Sequence, residues 1–352
     1  TSILLFVLVT LLLTLPLLLL RNSIVAVMNT PSQAAAATLQ YLTVCLSGTV
    51  FIVGYNVVSG ILRGMGDSKT PLLFVAVACF INVALDFILV KYIHLGALGA
   101  AIATVTAQAG SLLFALGYLR RRGLGFAFSK KDVRFQPVHT GKILKIGAPI
   151  ALQNCLIGIS FLIITKVINR MGLTASAGVG VVEKLIEFLM VPAIALGAAV
   201  AAMAAQNFGA GEFARAKKCL RGGIAISLAF AVFISIFCWF RGILLTRLFT
   251  GDKEVAQAAA LYLKTYSLDC LMVSFVFNIN GYLSGCSHSL FSMIHSLIST
   301  FAIRIPATIF LGQIKGVTLT AMGCVSPLST LFSVVLCAFY LSWLNRQGKT
   351  SL

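Results

Sequence analysis

Three polar side chains interrupt two neighbouring apolar runs, and their chemistry suits a small cation. Asn82 and Asp86 are the strongly polar residues between positions 71 and 90, a stretch that forms about 30 Å of helix, the thickness of a bilayer's hydrocarbon core. Their four-residue spacing places both on one helical face. Since a carboxylate is costly inside a membrane, such residues tend to mark ion or proton paths.

Thr104, on the next apolar run, brings a hydroxyl to a similar depth. It lies eight residues beyond Gly96, and Asp86 lies five residues before Lys91 on the other side of the intervening turn. An amide oxygen, a carboxylate and a hydroxyl at one level would ligate a hard cation such as Na⁺ or carry a proton. The residues alone also allow an Asp86 near the interface that hydrogen-bonds to a neighbouring helix. No metal site is predicted beyond Na⁺ at Asp86.

Composition places these residues in an integral membrane protein. Of 352 residues, 59% are hydrophobic and 10% are charged, and the mean hydropathy is +1.00, which excludes an ordinary soluble domain. The net charge of +18 falls mostly in alternate loops, as the positive-inside rule requires. This distribution is therefore interpreted as a sign of membrane topology and not of a nucleic-acid partner. It predicts that both ends of this chain are cytoplasmic.

Cysteine and histidine patterns predict neither a metal centre nor an enzyme. The nine cysteines contain no C-x-x-C pair and are interpreted as small buried hydrophobes. The four histidines are scattered singly and are predicted to be surface or turn residues. An intramembrane enzyme would need a paired catalytic set, and only His295 could lie deep in a span. We therefore predict no enzymatic activity and no cofactor other than a coupling ion.

The apolar segments predict an all-α fold with ten transmembrane helices. They cover 2–28, 38–62, 70–91, 96–119, 147–168, 177–204, 222–247, 257–284, 290–311 and 317–344. The longest polar stretch, 120–146, is the predicted cytoplasmic linker. It separates an N-terminal lobe, 1–119, from a C-terminal lobe, 147–352.

The two lobes carry an internal repeat. Landmarks recur at an offset of 220 or 221 residues: Tyr41-Leu42 as Tyr262-Leu263, Gly60 and Gly64 as Gly281 and Gly285, Arg21 as Arg241, and Gly96 as Gly316. A shift across six helices gives the copies parallel topology. The two G-x-x-x-G pairs are interpreted as ordinary helix-packing sites. Segments 147–168 and 177–204 have no counterpart after Thr1, so we expect a chain that lacks two helices of a twelve-helix protein.

One stretch resembles a known family. The run from Gly60 through Arg63-Gly64-Met-Gly66-Asp67 to Pro71, followed by Asn82 and Asp86, resembles the multidrug and toxic compound extrusion (MATE) transporters. Glu183-Lys184 and the later Ala205-Gln206-Asn207 run resemble the family's eighth helix and the turn after it. The resemblance implies two six-helix lobes around a central cavity, alternating access, and a place in the bacterial inner membrane. By this comparison the N-terminal lobe holds helices 3–6 and the C-terminal lobe helices 7–12.

The resemblance also implies roles for particular residues. In one branch of the family a cation site uses an Asp on helix one, an Asn and an Asp four apart on helix five, and a Thr on helix six. Asn82, Asp86 and Thr104 match the last three by spacing. Another branch uses a Glu on helix seven, where this sequence offers Gln153, Asn154 and Lys166.

Four charged residues of the C-terminal lobe form a second candidate network, namely Glu183, Glu187, Asp269 and Arg304. Glu183 and Glu187 share a helix face, and pairing an acid with Arg304 would lower the cost of burying both. A structural ion pair is favoured here over a part in coupling.

The leading hypothesis is a cation-coupled antiporter, driven by Na⁺ or H⁺, that exports organic and often cationic compounds. Its expected partners are membrane lipid and a small organic substrate, and the protein is expected to be a monomer. The alternatives are a flippase for a lipid-linked precursor, for which only Lys166, Lys184 and Arg304 stand out as head-group ligands, and an inactive truncated remnant.

Overall fold

The computed structural model describes residues 2–27, 32–122 and 134–346, and every regular element among them is helical. The predicted all-α class is confirmed. Of the described helices, seven are long and apolar enough to cross a membrane, or nine if each of two bent helix pairs is one span. Both chain ends and residues 123–133 of the predicted linker lie outside the described residues.

Residue contacts divide the chain into a first unit, 1–143, and a second unit, 144–352. The first unit contains α1 (Ser2–Leu19), α2 (Arg21–Val27), α3 (Ser32–Ser47), α4 (Thr49–Gly64), α5 (Lys69–Asp86), a π-helical turn (Phe87–Tyr92) and α6 (Gly96–Arg122). The predicted segment 2–28 is broken at Leu20, and its apolar helix Leu4–Leu19 is shorter than a usual span.

Helix α6 packs against α3, α4 and α5 and forms the centre of the first unit. Phe74 of α5 is fully buried and meets Phe114 and Tyr118 of α6 edge-on, with ring centroids 5.9 and 5.8 Å away. At the start of α5, Asp67 Oδ1 accepts a hydrogen bond of 3.0 Å from the Thr70 backbone N–H. This contact stabilises the first turn.

The second unit takes in most of the long helix α7 (Pro137–Ile168), which begins ten residues before the predicted segment 147–168. The chain continues through α8 (Leu173–Leu189), α9 (Val191–Gly209), α10 (Phe213–Arg247), α11 (Lys253–Tyr266), α12 (Asp269–Gly285), α13 (Ser289–Ile298), a second π-helical turn (Ser299–Arg304), α14 (Ile305–Gln313), α15 (Leu319–Gly323) and α16 (Val325–Arg346). The predicted segment 177–204 is two helices, because Pro192 begins a new helix after Met190.

Two bends interrupt otherwise continuous spans, one in each unit. Helices α3 and α4 meet at 46° around Gly48, and α11 and α12 meet at 51° around Ser267. The two positions are separated by about the offset of the sequence repeat. At Gly48 an added Cβ would come within 2.4 Å of Val105, so glycine allows α6 to pack directly against the bend.

The two G-x-x-x-G pairs have different surroundings. In the second unit, a Cβ at Gly281 would lie 2.2 Å from the carbonyl oxygen of Gly197, and one at Gly285 would lie 2.6 Å from that of Ala201. Helices α9 and α12 therefore approach backbone to backbone, as predicted for a packing site. In the first unit, no described atom lies within 4 Å of a Cβ added at Gly60 or Gly64.

Large apolar side chains cover the outside of the helices. Leu12, Phe80 and Phe240 are 62%, 78% and 75% exposed, which would be unfavourable in water but is expected against lipid. Buried polar residues, among them Asp269, Asn278 and His295, lie inside the second unit. The membrane setting explains this inverted distribution.

Candidate cation site and charged cavity

Two contacts fix the register of α5 and the π-helical turn after it against α6. Leu89 lies against Gly99, and Ile81 lies against Gly110; in both places an added Cβ would come within 3.1 Å of the partner. The helices are therefore antiparallel. Residues 82–88 therefore lie alongside residues 100–109 of α6, in the opposite order.

The three residues singled out in the sequence all lie in this stretch of the hairpin. Asn82 and Asp86 follow Ile81 on α5, and Thr104 lies midway between the glycines of α6; all three are half-buried. The hydroxyl of Thr104 donates to the carbonyl of Ala100 at 2.9 Å, which leaves its oxygen lone pairs available as acceptors. This register places the Asp86 carboxylate and the Thr104 hydroxyl at similar depths, with the Asn82 amide one helical turn away on α5.

Two of these side chains have buried polar atoms without a hydrogen-bond partner. Within the described residues, neither Asp86 Oδ1 nor Asn82 Nδ2 makes a hydrogen bond. An amide can present oxygen or nitrogen at the same place by flipping, so Asn82 can turn an acceptor toward the same space. Buried polar groups without partners are uncommon and call for an explanation. A bound cation or an added proton would satisfy the carboxylate.

Sequence reasoning missed two neighbours of this group. Gln108 lies one turn beyond Thr104, and its buried Oε1 also has no partner among the described residues. The Tyr41 hydroxyl of α3 lies within electrostatic range of the Asp86 carboxylate. The four-residue spacing of Gln108 from Thr104 was a readable signal, but nothing in the sequence pairs α3 with the end of α5.

A π-helical turn follows Asp86 directly, from Phe87 to Tyr92. Such turns are rare and occur often at functional positions, because the extra residue shifts the register of the side chains that follow. Lys91 at the end of this turn lies 4.4 Å over the ring of Phe87. The turn thus separates the polar residues of α5 from the end of the span.

The second unit brings together two of the four predicted charged residues. Arg304 Nη2 is 3.7 Å from Asp269 Oδ2, and the two side chains are 13% and 2% exposed. The Ser326 hydroxyl donates to the same carboxylate oxygen at 2.8 Å, and Arg304 Nη2 donates to Thr330 Oγ1 at 3.3 Å. Hydrogen bonds from both sides stabilise this buried pair.

Glu183 and Glu187 are not part of that pair. Glu187 is exposed and lies 3.4 Å from the ammonium group of Lys184 on the same helix, an arrangement that contributes little to stability. Glu183 is half-buried and lines a cavity that Arg304 also lines. Of the four residues, Asp269 and Arg304 therefore form a buried pair, Glu187 pairs at the surface with Lys184, and Glu183 has no ion pair among the described residues.

The expectation that the histidines are surface or turn residues was wrong for His295. It is fully buried, with Nδ1 2.7 Å from Ser333 Oγ and Nε2 2.7 Å from Asn280 Oδ1. Both ring nitrogens are satisfied, which explains how the side chain is accommodated inside the unit. Its partners lie 38 and 15 residues away in sequence, so no local spacing could reveal the contact.

Comparison with known proteins places these features in a family. A family model described as MatE matches residues 1–88 and 149–310, which include Asn82, Asp86, Asp269 and Arg304. The chain belongs to the MATE family. The match confirms the predicted family. Because members of this family are membrane transporters, it also confirms the prediction that the protein is not an enzyme.

Curated bacterial relatives support the assignment to the MATE family. The chain is 31% identical over 334 residues to the "Probable multidrug resistance protein YpnP" of Bacillus subtilis (strain 168), covering 94% of this chain and 72% of that protein. It is 26% identical over 333 residues to the "Probable multidrug resistance protein YoeA" of the same strain, covering 92% and 72%.

Solved structures show the same fold. A MOP superfamily transporter from Pyrococcus furiosus superposes with a TM-score of 0.92 at 20% identity, covering 98% of this chain and 78% of that one. The outward-facing conformation of a multidrug resistance MATE family transporter gives a TM-score of 0.91, also at 20% identity, covering 97% and 78%. The helices described above therefore follow the MATE transporter fold.

Proposed function

We propose that this MATE-family protein is a cation-coupled antiporter that exports organic, often cationic, compounds by alternating access. The coupling ion is Na⁺ or H⁺, and no other cofactor is needed. The protein works as a monomer in the bacterial inner membrane, with both ends of this chain cytoplasmic. Its partners are membrane lipid and a small organic substrate. The multidrug resistance names of its bacterial relatives support the substrate class.

The observation that carries the proposal is the buried, unpartnered Oδ1 of Asp86. No described Lys or Arg forms an ion pair with Asp86, so the carboxylate is available to a mobile cation. Thr104 at a similar depth and Asn82 one helical turn away supply further oxygens for Na⁺. A proton would instead bind the carboxylate itself.

Coupling requires that the cation favours one arrangement of the helices over another. A cation at Asp86 neutralises a buried negative charge. That charge costs more free energy when the site is closed to water than when it is hydrated, so neutralising it favours the closed arrangement. The cation's gradient can then drive the change of access. The π-helical turn next to Asp86 is a local element whose register could respond to this change.

Asp86→Asn tests the proposal, because asparagine keeps the shape of the side chain but not its charge. The variant is made in the full natural protein and reconstituted in proteoliposomes. We expect its ethidium transport, driven by a Na⁺ or pH gradient that moves the cation in the opposite direction, to fall to background. The variant should still elute as a folded protein. Glu212→Gln, which removes a charge from an exposed side chain between α9 and α10, should transport normally. Unchanged export by Asp86→Asn would refute the role.

The flippase alternative has little support from the described residues. Arg304 is held by Asp269, and Lys184 is exposed beside Glu187. Lys166, the third candidate, is exposed as well. The same proteoliposomes, given Na⁺ and pH gradients separately, will identify the coupling ion.

A further inference from the structure

An open groove of about 360 Å³ lies between the second half of α10 and the helix α11. Among its lining residues, Trp239, Phe240 and Leu261 are exposed apolar side chains, which in a membrane face lipid. The two helices pack closely beside it, since a Cβ added at Gly242 would lie 3.6 Å from Leu263. The groove is therefore a gap in the lipid-facing surface of the second unit, between two helices that are packed against each other.

Helix length places this groove at the depth of the lipid head groups. Arg221 and Arg241 bracket nineteen residues of α10 without a charged side chain, which cover about 29 Å of helix, close to the thickness of the hydrocarbon core. Arg241 therefore marks one edge of that core. Trp239 lies two residues before it, in the interfacial zone where tryptophan is enriched. A molecule in the groove can reach the head-group layer and the acyl chains at once.

Lys264 of α11 brings a positive charge to the groove. Its Nζ lies 4.7 Å from the ring centre of Trp239, and a cation–π contact at an exposed site is weak. Neither Lys264 nor the exposed Arg241, next to the groove in sequence, forms an ion pair with a described acid. Gln257, two turns earlier on α11, also lines the groove and adds an amide donor. The groove therefore offers positive charge and hydrogen-bond donors that no described anion receives.

We propose that this groove binds an anionic phospholipid of the phosphatidylglycerol type, with its phosphate at Lys264 and Arg241 and an acyl chain along Trp239 and Phe240. A soluble anion would gain nothing from the exposed apolar side chains. A zwitterionic lipid carries its own positive charge, which Lys264 and Arg241 would repel. In the topology proposed above, the groove belongs to the outer leaflet. The inference goes beyond general contact with membrane lipid, because it assigns one lipid class to one site.

Native mass spectrometry of the full natural protein in detergent tests the choice of lipid. The protein is titrated with phosphatidylglycerol or with phosphatidylcholine of the same acyl chains, and the apparent dissociation constant of the first bound lipid is measured. We expect phosphatidylglycerol to bind at least about fivefold more tightly, because a basic residue near the membrane surface contributes about this factor. Equal affinities, or tighter binding of phosphatidylcholine, would overturn the proposal.

Three variants test the location of the lipid site. Lys264→Gln should lower the preference for phosphatidylglycerol about fivefold, whereas Lys264→Arg, which keeps the charge, should retain it. The charge-matched control is Lys218→Gln. Lys218 is exposed and precedes Trp239 by about 32 Å of helix, so this variant should bind like the natural protein. A preference that survives Lys264→Gln, or that Lys264→Arg or Lys218→Gln also abolishes, would refute a charge-specific site at this groove.

Discussion

At the residue scale, the two units treat buried carboxylates in opposite ways. Asp269 has a guanidinium from its own chain at 3.7 Å and a serine hydroxyl at 2.8 Å. Each of the two carboxylates has one buried oxygen without a hydrogen-bond partner among the described residues, but Asp86 forms no ion pair with any of those residues. The first carboxylate is neutralised within the chain, whereas the second, in the function proposed above, is neutralised by a cation from solution.

We predict that Asp269→Ala destabilises the protein strongly, because Arg304 would remain buried without its counter-charge. The expected loss in unfolding free energy is about 3 kcal/mol, measured by denaturant unfolding in detergent. Glu187→Ala removes the exposed partner of Lys184 and should change stability by less than about 1 kcal/mol. A similar small effect for both variants would show that the buried pair contributes little.

Helical periodicity made part of the candidate site predictable. The spacing of Asn82 and Asp86 and the turn before Thr104 were sufficient to infer a shared depth, because the rise per residue is fixed. Tyr41 could not be inferred in this way, since its proximity to Asp86 depends on how α3 packs. His295 was missed for the same reason: its contacts with Asn280 and Ser333 join three helices.

At the scale of the elements, the two G-x-x-x-G pairs allow a direct comparison. Gly281 lies against the backbone of α9, so a methyl group there must push two helices apart, whereas Gly60 has no described neighbour within 4 Å of an added Cβ. We expect Gly281→Ala to lower the unfolding free energy by about 1–3 kcal/mol.

Gly60→Ala, the matched control, should be neutral or slightly stabilising, since alanine favours helix over glycine. Thermal unfolding of both variants in the same detergent would measure the difference. Equal destabilisation would mean that both pairs are packing sites in the natural protein.

The sequence predicted where helices lie better than where they bend. Each of the ten apolar segments overlaps helical residues, because hydrophobic length is a strong signal. The bends at Gly48 and Ser267 and the break at Met190 were not predicted. Hydropathy contains no information about backbone direction, and the bend at Gly48 depends on Val105 of another helix.

At the scale of the whole molecule, the distribution of basic residues predicts which loops face the cytoplasm. Lys218 at the start of α10 should be cytoplasmic and Lys315 after α14 should be outside; both are exposed. A membrane-impermeant maleimide applied to intact cells should label Lys315→Cys, and Lys218→Cys only after permeabilisation. The unaltered protein gives the background of its nine cysteines. The reverse labelling pattern would invert the topology.

The buried pair of Asp269 and Arg304 also has an electrical consequence. A membrane potential acts on net charge, at about 2.3 kcal/mol per elementary charge per 100 mV. Since the two side chains cancel, any displacement that carries them together is electrically silent. An ionised Asp86 has no such internal compensation, so its displacement would contribute to the voltage dependence of the transport cycle, and a voltage clamp would detect the change when a cation occupies that site.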